Sequence, residues 1–432
     1  MSYKDYFKGK KIAVIGFGPH GEMLADIKFL LKSKSLISLY DMRSEERVRK
    51  YTLALPIAGI DKFSFAKIND DDLLSADLII LASDISKKSN FLKKAVSAGI
   101  EIEYADTLFF KLTPPITLIG VIGSCGKSTV SHLIYSMLKK GFAEYDHQGL
   151  FFIDPDSVSG ALNNLRKIKK GDVVLARIPE HLSEHYHKLR ISPHVVVITS
   201  LTSFSLLAFQ TYNNFIVAPD KVIDAIKKDS VNSSKAKILR TRAGSVSTTW
   251  NIGIKGVHNL ENAALALQTI ELFKVPQDIG REVLEDFEGL RGHIEFVKKV
   301  SGIEFYNDTA SITAISTLAA LRLLSHDKNI ILILGGAYTG HDYDELIQNI
   351  SRYVSTIILL PGSGSLGLRN KIEELSDINF VQVLHLEDAV EKAKECAKKG
   401  DKVLFSPGFE AVGVDVSRKE RGERFVRAVR GL

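Results

Sequence analysis

Cysteine is nearly missing from this chain of 432 residues. Two thiols, Cys125 and Cys396, exclude a disulfide framework and point to a reducing compartment. Tryptophan occurs once, at Trp250, and reads as a packing residue. No apolar run approaches the length of a bilayer span, which excludes a helical membrane protein. The N-terminal stretch MSYKDYFKGKK lacks the apolar core of a secretion signal, so a cytoplasmic location is expected. Neither sign of charge dominates: 57 Lys and Arg against 51 Asp and Glu, net +6. There is no aromatic-plus-basic RNA-binding signature, and the one basic cluster is Arg418, Lys419, Arg421, Arg424, Arg427 and Arg430. Small anionic substrates suit this balance; nucleic acid and membrane partners are not expected. The length allows two to four domains, with three the natural reading.

What is present is organised around Thr117–Leu138. An apolar run from Ile116 to Ile122 reads as a buried parallel strand. It breaks into Gly123-Ser124-Cys125-Gly126-Lys127-Ser128-Thr129 and continues at helical spacing through Val130, Leu133, Ile134, Met137 and Leu138. Strand, glycine loop and helix are the parts that hold a polyphosphate. Glycines let backbone N–H groups curl around phosphate oxygens, and the helix start adds partial positive charge. Lys127 is placed to reach the β- and γ-phosphates, and the Ser128 hydroxyl to hold Mg²⁺. The usual spacing asks for glycine at Val121; Gly120 stands one residue early. A bare helix capped by Ser124 or Ser128 leaves the glycines and Lys127 unexplained.

The remaining text alternates strand and helix, predicting three doubly wound α/β domains. In the first, residues 1–113, strand Lys11–Ile15 leads into Gly16-Phe17-Gly18-Pro19-His20-Gly21 and a helix to about Leu31. Strand Leu36–Tyr40 follows and ends at Asp41-Met42-Arg43, as in a dinucleotide-binding turn. Strands Asp77–Ala82 and Ile100–Tyr104 flank a helix expected over Lys87–Ala98. Pro114-Pro115 marks the linker. The second domain, 114–291, carries the phosphate loop, strands Val173–Ala176, Val195–Ile198 and Phe215–Val217, and a long helix Asn259–Phe273. In the third, 292–432, strands are expected at Ile303–Tyr306, Asn329–Leu334, Ile357–Leu360, Phe380–Val383 and Lys402–Phe405.

Three units in this order, with the phosphate loop opening the middle one, resemble the Mur ligase family. Those are ATP-dependent amide-bond ligases that add amino acids to a UDP-muramoyl precursor of peptidoglycan. The resemblance runs nearly the full length and is strongest to the D-glutamate-adding branch. Gly120–Thr129 is similar to the family's G-x-T-G-x-N-G-K-S-T loop, and Gly256–Asn262 to its G-x-H-N-x-x-N segment. Phe305–Thr309 resembles the Y-N-D-S/T stretch, Leu334-Gly335-Gly336 an L-G-G turn, Phe405–Gly408 the L-S-P segment, and Arg421–Phe425 the R-G-x-x-F of the closing helix. The resemblance implies ATP contacts from Gly123–Thr129, Asn259, Asn262 and Asp308. It implies contacts to uridine and diphosphate from Gly18, Asp41 and Arg43, and to the incoming amino acid from Thr339 and Ser406. An Asp41–Arg43 ion pair capping a turn is the other reading of those two residues.

The chain also departs from the family. The metal-binding glutamate falls at Ala176, leaving Glu180 as the nearest substitute beside Ser128, with His181 next to it. The N-x-x-x-D-H segment reads Thr199-Ser200-Leu201-Thr202-Ser203-Phe204-Ser205, and the carbamylated lysine has only Lys221 near its place. The family lysine that meets D-glutamate falls at Thr339, and its H-R pair has become Gly292-His293. The expectation is a monomeric, divergent ligase using ATP and Mg²⁺, adding D-glutamate or another amino acid to a UDP-N-acetylmuramoyl-L-alanine-type precursor, with Lys127, Ser128 and Glu180 at the chemistry. The alternative is a non-catalytic nucleotide-binding relative with a binding or regulatory role. An oxidoreductase using Gly16–Gly21 leaves the phosphate loop unexplained.

Overall fold

The computed structural model describes residues 2–432 apart from 19–20, 88, 124, 145–148, 156, 158, 180–181, 201–214, 229–235, 255–256, 326, 339–341, 376 and 412–417. Chain contacts divide it into two compact units, Met1–Phe287 and Glu288–Leu432.

Short apolar runs separated by amphipathic helices leave parallel pairing as the way to bury both faces of a strand. The first unit contains two such sheets. In the first sheet, β1 (Lys11–Ile15), β2 (Leu36–Asp41), β3 (Ile60–Phe65), β4 (Leu78–Leu81) and β5 (Glu101–Tyr104) run in the order β3-β2-β1-β4-β5. Every pair is parallel. In the second, β6 (Thr117–Ile122), β7 (Leu150–Ile153), β8 (Val173–Arg177), β9 (Val195–Ile198), β10 (Phe215–Pro219) and β11 (Lys237–Thr241) take the order β11-β10-β9-β6-β8-β7, again all parallel. The strand β6 that leads into the glycine loop is therefore central, between β9 and β8, and its loop is flanked by the ends of both.

The two sheets share an apolar core that runs from Phe7 to Ile223. Polar contacts tie them as well. Asp26, on the helix Leu24–Leu31, accepts from Leu162 N at 2.7 Å and Ala161 N at 3.2 Å. Tyr186, fully buried, donates to Asp106 Oδ2 at 2.7 Å. His185 Nε2 lies 2.9 Å from Glu103 Oε2 and 2.9 Å from Lys87 Nζ.

The second unit has one sheet of β12 (Glu295–Val300), β13 (Ile303–Asn307), β14 (Ile330–Leu334), β15 (Val354–Leu359), β16 (Asn379–Gln382) and β17 (Lys402–Phe405), ordered β12-β13-β17-β14-β15-β16. It is mixed: β12 pairs antiparallel with β13, with a bulge between Phe296 and Lys298, and the other pairs are parallel.

Three α/β sheets are present, as the expected fold class requires, gathered into two compact units. Four strands that the sequence reading passed over, β3, β7, β11 and β12, all lie at sheet edges. Their residues are mostly exposed or half-buried; β3, β11 and β12 mix charged and apolar residues, and the apolar run of β7, Leu150–Ile153, is only four residues long. The helix expected over Lys87–Ala98 is shorter: a 3₁₀ turn, Asn90–Leu92, leads into Lys93–Ser97. The long helix expected from Asn259 begins at Val257 and ends at Glu271.

Candidate functional site

At the end of β6 the chain turns through Gly123, at φ +136°, and Gly126, at φ +81°, before the helix Lys127–Glu144 begins. Both glycines are needed for space as well as for φ. A side chain at Gly123 would collide with the Thr199 hydroxyl and stand 2.9 Å from Ser200 N. One at Gly126 would stand 2.8 Å from Asn262 Oδ1. The loop is thus packed between the end of β9 and the helix Val257–Glu271. Thr199 Oγ1 lies 3.1 Å from Ile122 O and 2.5 Å from Cys125 O, and Cys125 N donates to Ser200 Oγ at 3.1 Å.

Lys127 Nζ donates to Gly123 O at 2.5 Å, folding its ammonium back over the loop. Ser128 and Thr129 are half-buried in the first turn of the helix. Gly120, one residue too early for the usual spacing, is a strand residue whose missing side chain makes room for Pro193.

The structure brings the Asn262 amide to Gly126, joining two segments far apart in the sequence; Asn259 lies one helical turn away, its Oδ1 3.5 Å from Asn262 Nδ2. Thr199 and Ser200, which brace the loop, went unassigned in the sequence reading. The signal for them was a hydroxyl pair directly after a buried strand. Ser124 and Glu180 lie outside the described residues.

The end of β8 is where the resemblance places a metal-binding carboxylate. Ala176 is fully buried in the apolar core shared by the two sheets. Arg177, beside it, forks onto Asp154 Oδ1 through Nε at 2.8 Å and Nη2 at 2.5 Å. Lys221 pairs with Glu261 Oε2 at 2.7 Å. Among the described residues there is no group of three or more His, Cys, Asp or Glu that could hold a metal ion. Ser128 fits one Mg²⁺ carried in by a nucleotide, whose phosphates supply the other oxygens. A second ion held by protein carboxylates does not fit the described residues.

At the end of the first sheet, Gly18, Asp41 and Arg43 form one closed network. Asp41 accepts from Phe17 N at 3.1 Å and Arg43 N at 2.9 Å, and takes the Arg43 fork at 2.8 and 2.7 Å. Arg43 Nη2 also donates to Gly18 O at 3.1 Å. Burial pushes the Asp41 carboxyl up, but the Arg43 and backbone donors outweigh it and hold it below the usual range. A cleft beside this turn is lined by Gly18, Glu22, Asp26, Tyr104, Asp106 and Asp154, among others. Burial raises Asp26 to about 7 and raises Asp106 as well.

In the second unit, two residues expected to serve different ligands meet. Ser406 Oγ donates to Asp308 Oδ2 at 2.8 Å, and Ile294 N donates to Asp308 Oδ1 at 3.2 Å. Both side chains are buried, and burial pushes Asp308 up to about 7 against the pull of its Ser311 and Ser406 partners. Arg421, also buried, donates from Nη2 to Phe409 O at 2.8 Å beside the Gly335-Gly336 turn. Thr339 lies outside the described residues.

No family model matches the chain. Among curated proteins it is 27% identical to the UDP-N-acetylmuramoylalanine--D-glutamate ligase of Roseiflexus sp. (strain RS-1), over 98% of both chains. It is 26% identical to the protein of that name from Caldicellulosiruptor saccharolyticus, over 98% of this chain and 99% of the relative. The chain is thus similar along nearly its whole length to curated ligases of the Mur type. Solved Mur ligases share its fold: UDP-N-acetylmuramate-alanine ligase from Thermotoga maritima aligns over 98% of this chain and 99% of its own, with a TM-score of 0.59 and 16% identity. The MurF ligase of the same organism, solved in complex with ADP, aligns over 100% and 97% with a TM-score of 0.53 and 13% identity. No helix among the described residues is long and apolar enough to cross a membrane.

Proposed function

We propose that this chain is an ATP-dependent amide-bond ligase of peptidoglycan precursor synthesis, adding an amino acid, D-glutamate by its relatives, to a UDP-N-acetylmuramoyl-L-alanine-type acceptor. The observation that carries it is the phosphate loop itself. Gly123 and Gly126 turn the backbone between a central parallel strand and an 18-residue helix, in a chain matched end to end by curated ligases. The carboxylate of the precursor attacks the γ-phosphorus of ATP, the bond to the β-phosphate oxygen breaks, and ADP leaves. The amino group of the amino acid then attacks the acyl carbon and phosphate departs.

In that sequence Lys127 leaves Gly123 O and places its charge against the β- and γ-phosphates, while backbone N–H groups of the loop hold the oxygens. Asn262 and Asn259 fix the loop's far side. Mg²⁺ entering with the nucleotide at Ser128 would neutralise further phosphate charge. Gly18, Asp41 and Arg43 mark the nucleotide end of the precursor. Asp308 and Ser406 support the second unit's ligand face. The protein acts as a cytoplasmic monomer in this reading, on small molecules alone.

Phosphate release from purified protein with ATP, Mg²⁺, UDP-N-acetylmuramoyl-L-alanine and a panel of amino acids tests the proposal. Turnover that depends on D-glutamate or another amino acid, and disappears in Lys127→Ala, is expected. ATP binding without turnover for every amino acid would replace the ligase with a nucleotide-binding partner.

A further inference from the structure

The glycine turn of the first sheet is already filled by a carboxylate of this chain. Gly18 has φ +78°, and a side chain built there would collide with the Glu22 carboxylate. Glu22 is buried, at 8% exposure, and lies just ahead of the helix Leu24–Leu31. In a strand–glycine turn–helix unit, that position is where a bound diphosphate places its oxygens. A carboxylate there offers the same charge and the same acceptor atoms as a phosphate edge.

Asp26, Asp106 and Asp154 line the same cleft as Glu22. Two arginines, Arg43 and Arg177, pair with carboxylates of their own, Asp41 and Asp154. A diphosphate entering with Glu22 in place would set like charges against each other in a half-enclosed space.

We propose that Glu22 sets the affinity of this chain for the phosphates of its nucleotide-linked substrate, by occupying their seat at Gly18 until the substrate displaces it. This rests on the substrate class proposed above. A purely structural role for Glu22, as an acid favouring a helix start, predicts that its removal weakens binding. Seat occupation predicts the reverse.

The experiment is calorimetric titration of UDP, and separately of uridine, into the full-length wild type, Glu22→Gln and Glu22→Ser, with a non-hydrolysable ATP analogue titrated in parallel. Both variants are expected to bind UDP at least fivefold more tightly than wild type, with uridine and the ATP analogue unchanged. UDP affinity that is unchanged or weaker in both variants, in protein that still binds the ATP analogue, overturns the role of Glu22 and leaves the ligase reading standing. UDP binding to none of the three proteins overturns both this role and the proposed substrate class.

Discussion

The Tyr186 hydroxyl donates to Asp106 Oδ2 at 2.7 Å, so a helix that follows β8 is fastened to the helix that follows β5. Both groups are buried, and Asp106 also accepts from Thr107 N at 2.7 Å. Tyr186→Phe keeps the ring against Phe110 and removes the donor. Leaving a buried carboxylate short of a partner costs on the order of 1–3 kcal/mol. Thermal melting of the variant should show a lowered transition with nucleotide binding retained. An unchanged melting temperature would mean that the hydroxyl adds nothing to the fold.

Carboxyls held up by burial give stability a definite pH dependence. Asp26 and Asp308 are both raised from 3.8 to about 7. Below about pH 4, folded and unfolded chains both hold these protons. Between about 4 and 7 the unfolded chain has released them and the folded chain retains them, so stability falls as pH rises; above 7 the loss is complete. Each group contributes a slope of at most about 1.4 kcal/mol per pH unit. Denaturant titrations between pH 5 and 8 should show the decline, flattened in Asp26→Asn for the first unit and in Asp308→Asn for the second.

Alanine at either loop glycine tests the phosphate site independently of Lys127. Gly126→Ala puts a methyl against the Asn262 amide at a φ that disfavours side chains, and Gly123→Ala does the same against Thr199 and Ser200. Each should weaken ATP binding roughly tenfold or more, about 1.4 kcal/mol. Affinity retained in both would show that the loop does not grip phosphates.

The Arg177–Asp154 pair is largely buried, with side-chain exposures of 10% and 16%. Removing one partner from such a pair costs about 3–5 kcal/mol, whereas replacing both with apolar residues is far milder. Arg177→Leu and Asp154→Leu should therefore each destabilise more than the double variant. Additive losses in urea denaturation would show the two side chains to be uncoupled.

Much of this was legible in the text. Central strands are written as apolar runs, and the turn from β6 through Gly123 and Gly126 into a helix was legible as a strand, glycine loop and helix. Edge strands such as β3 and β11 were not legible, since half of each faces solvent and their residues resemble loop text. Site residues whose partners lie far off in the sequence were also hidden. Nothing around Ala176 says that Arg177 is tied to Asp154, and nothing around Glu22 says that its carboxylate rests at Gly18. Asp41 and Arg43 were read both as ligand contacts and as an ion pair; the geometry displays the ion pair.

The antiparallel β12 closes one margin of the second unit's sheet with a bulge and with two lysines, Lys298 and Lys299. A stray strand arriving there meets an interrupted set of amides and carbonyls and must also bury ammonium groups. The unit should thus stay dispersed at high concentration, and clumping would have to begin elsewhere.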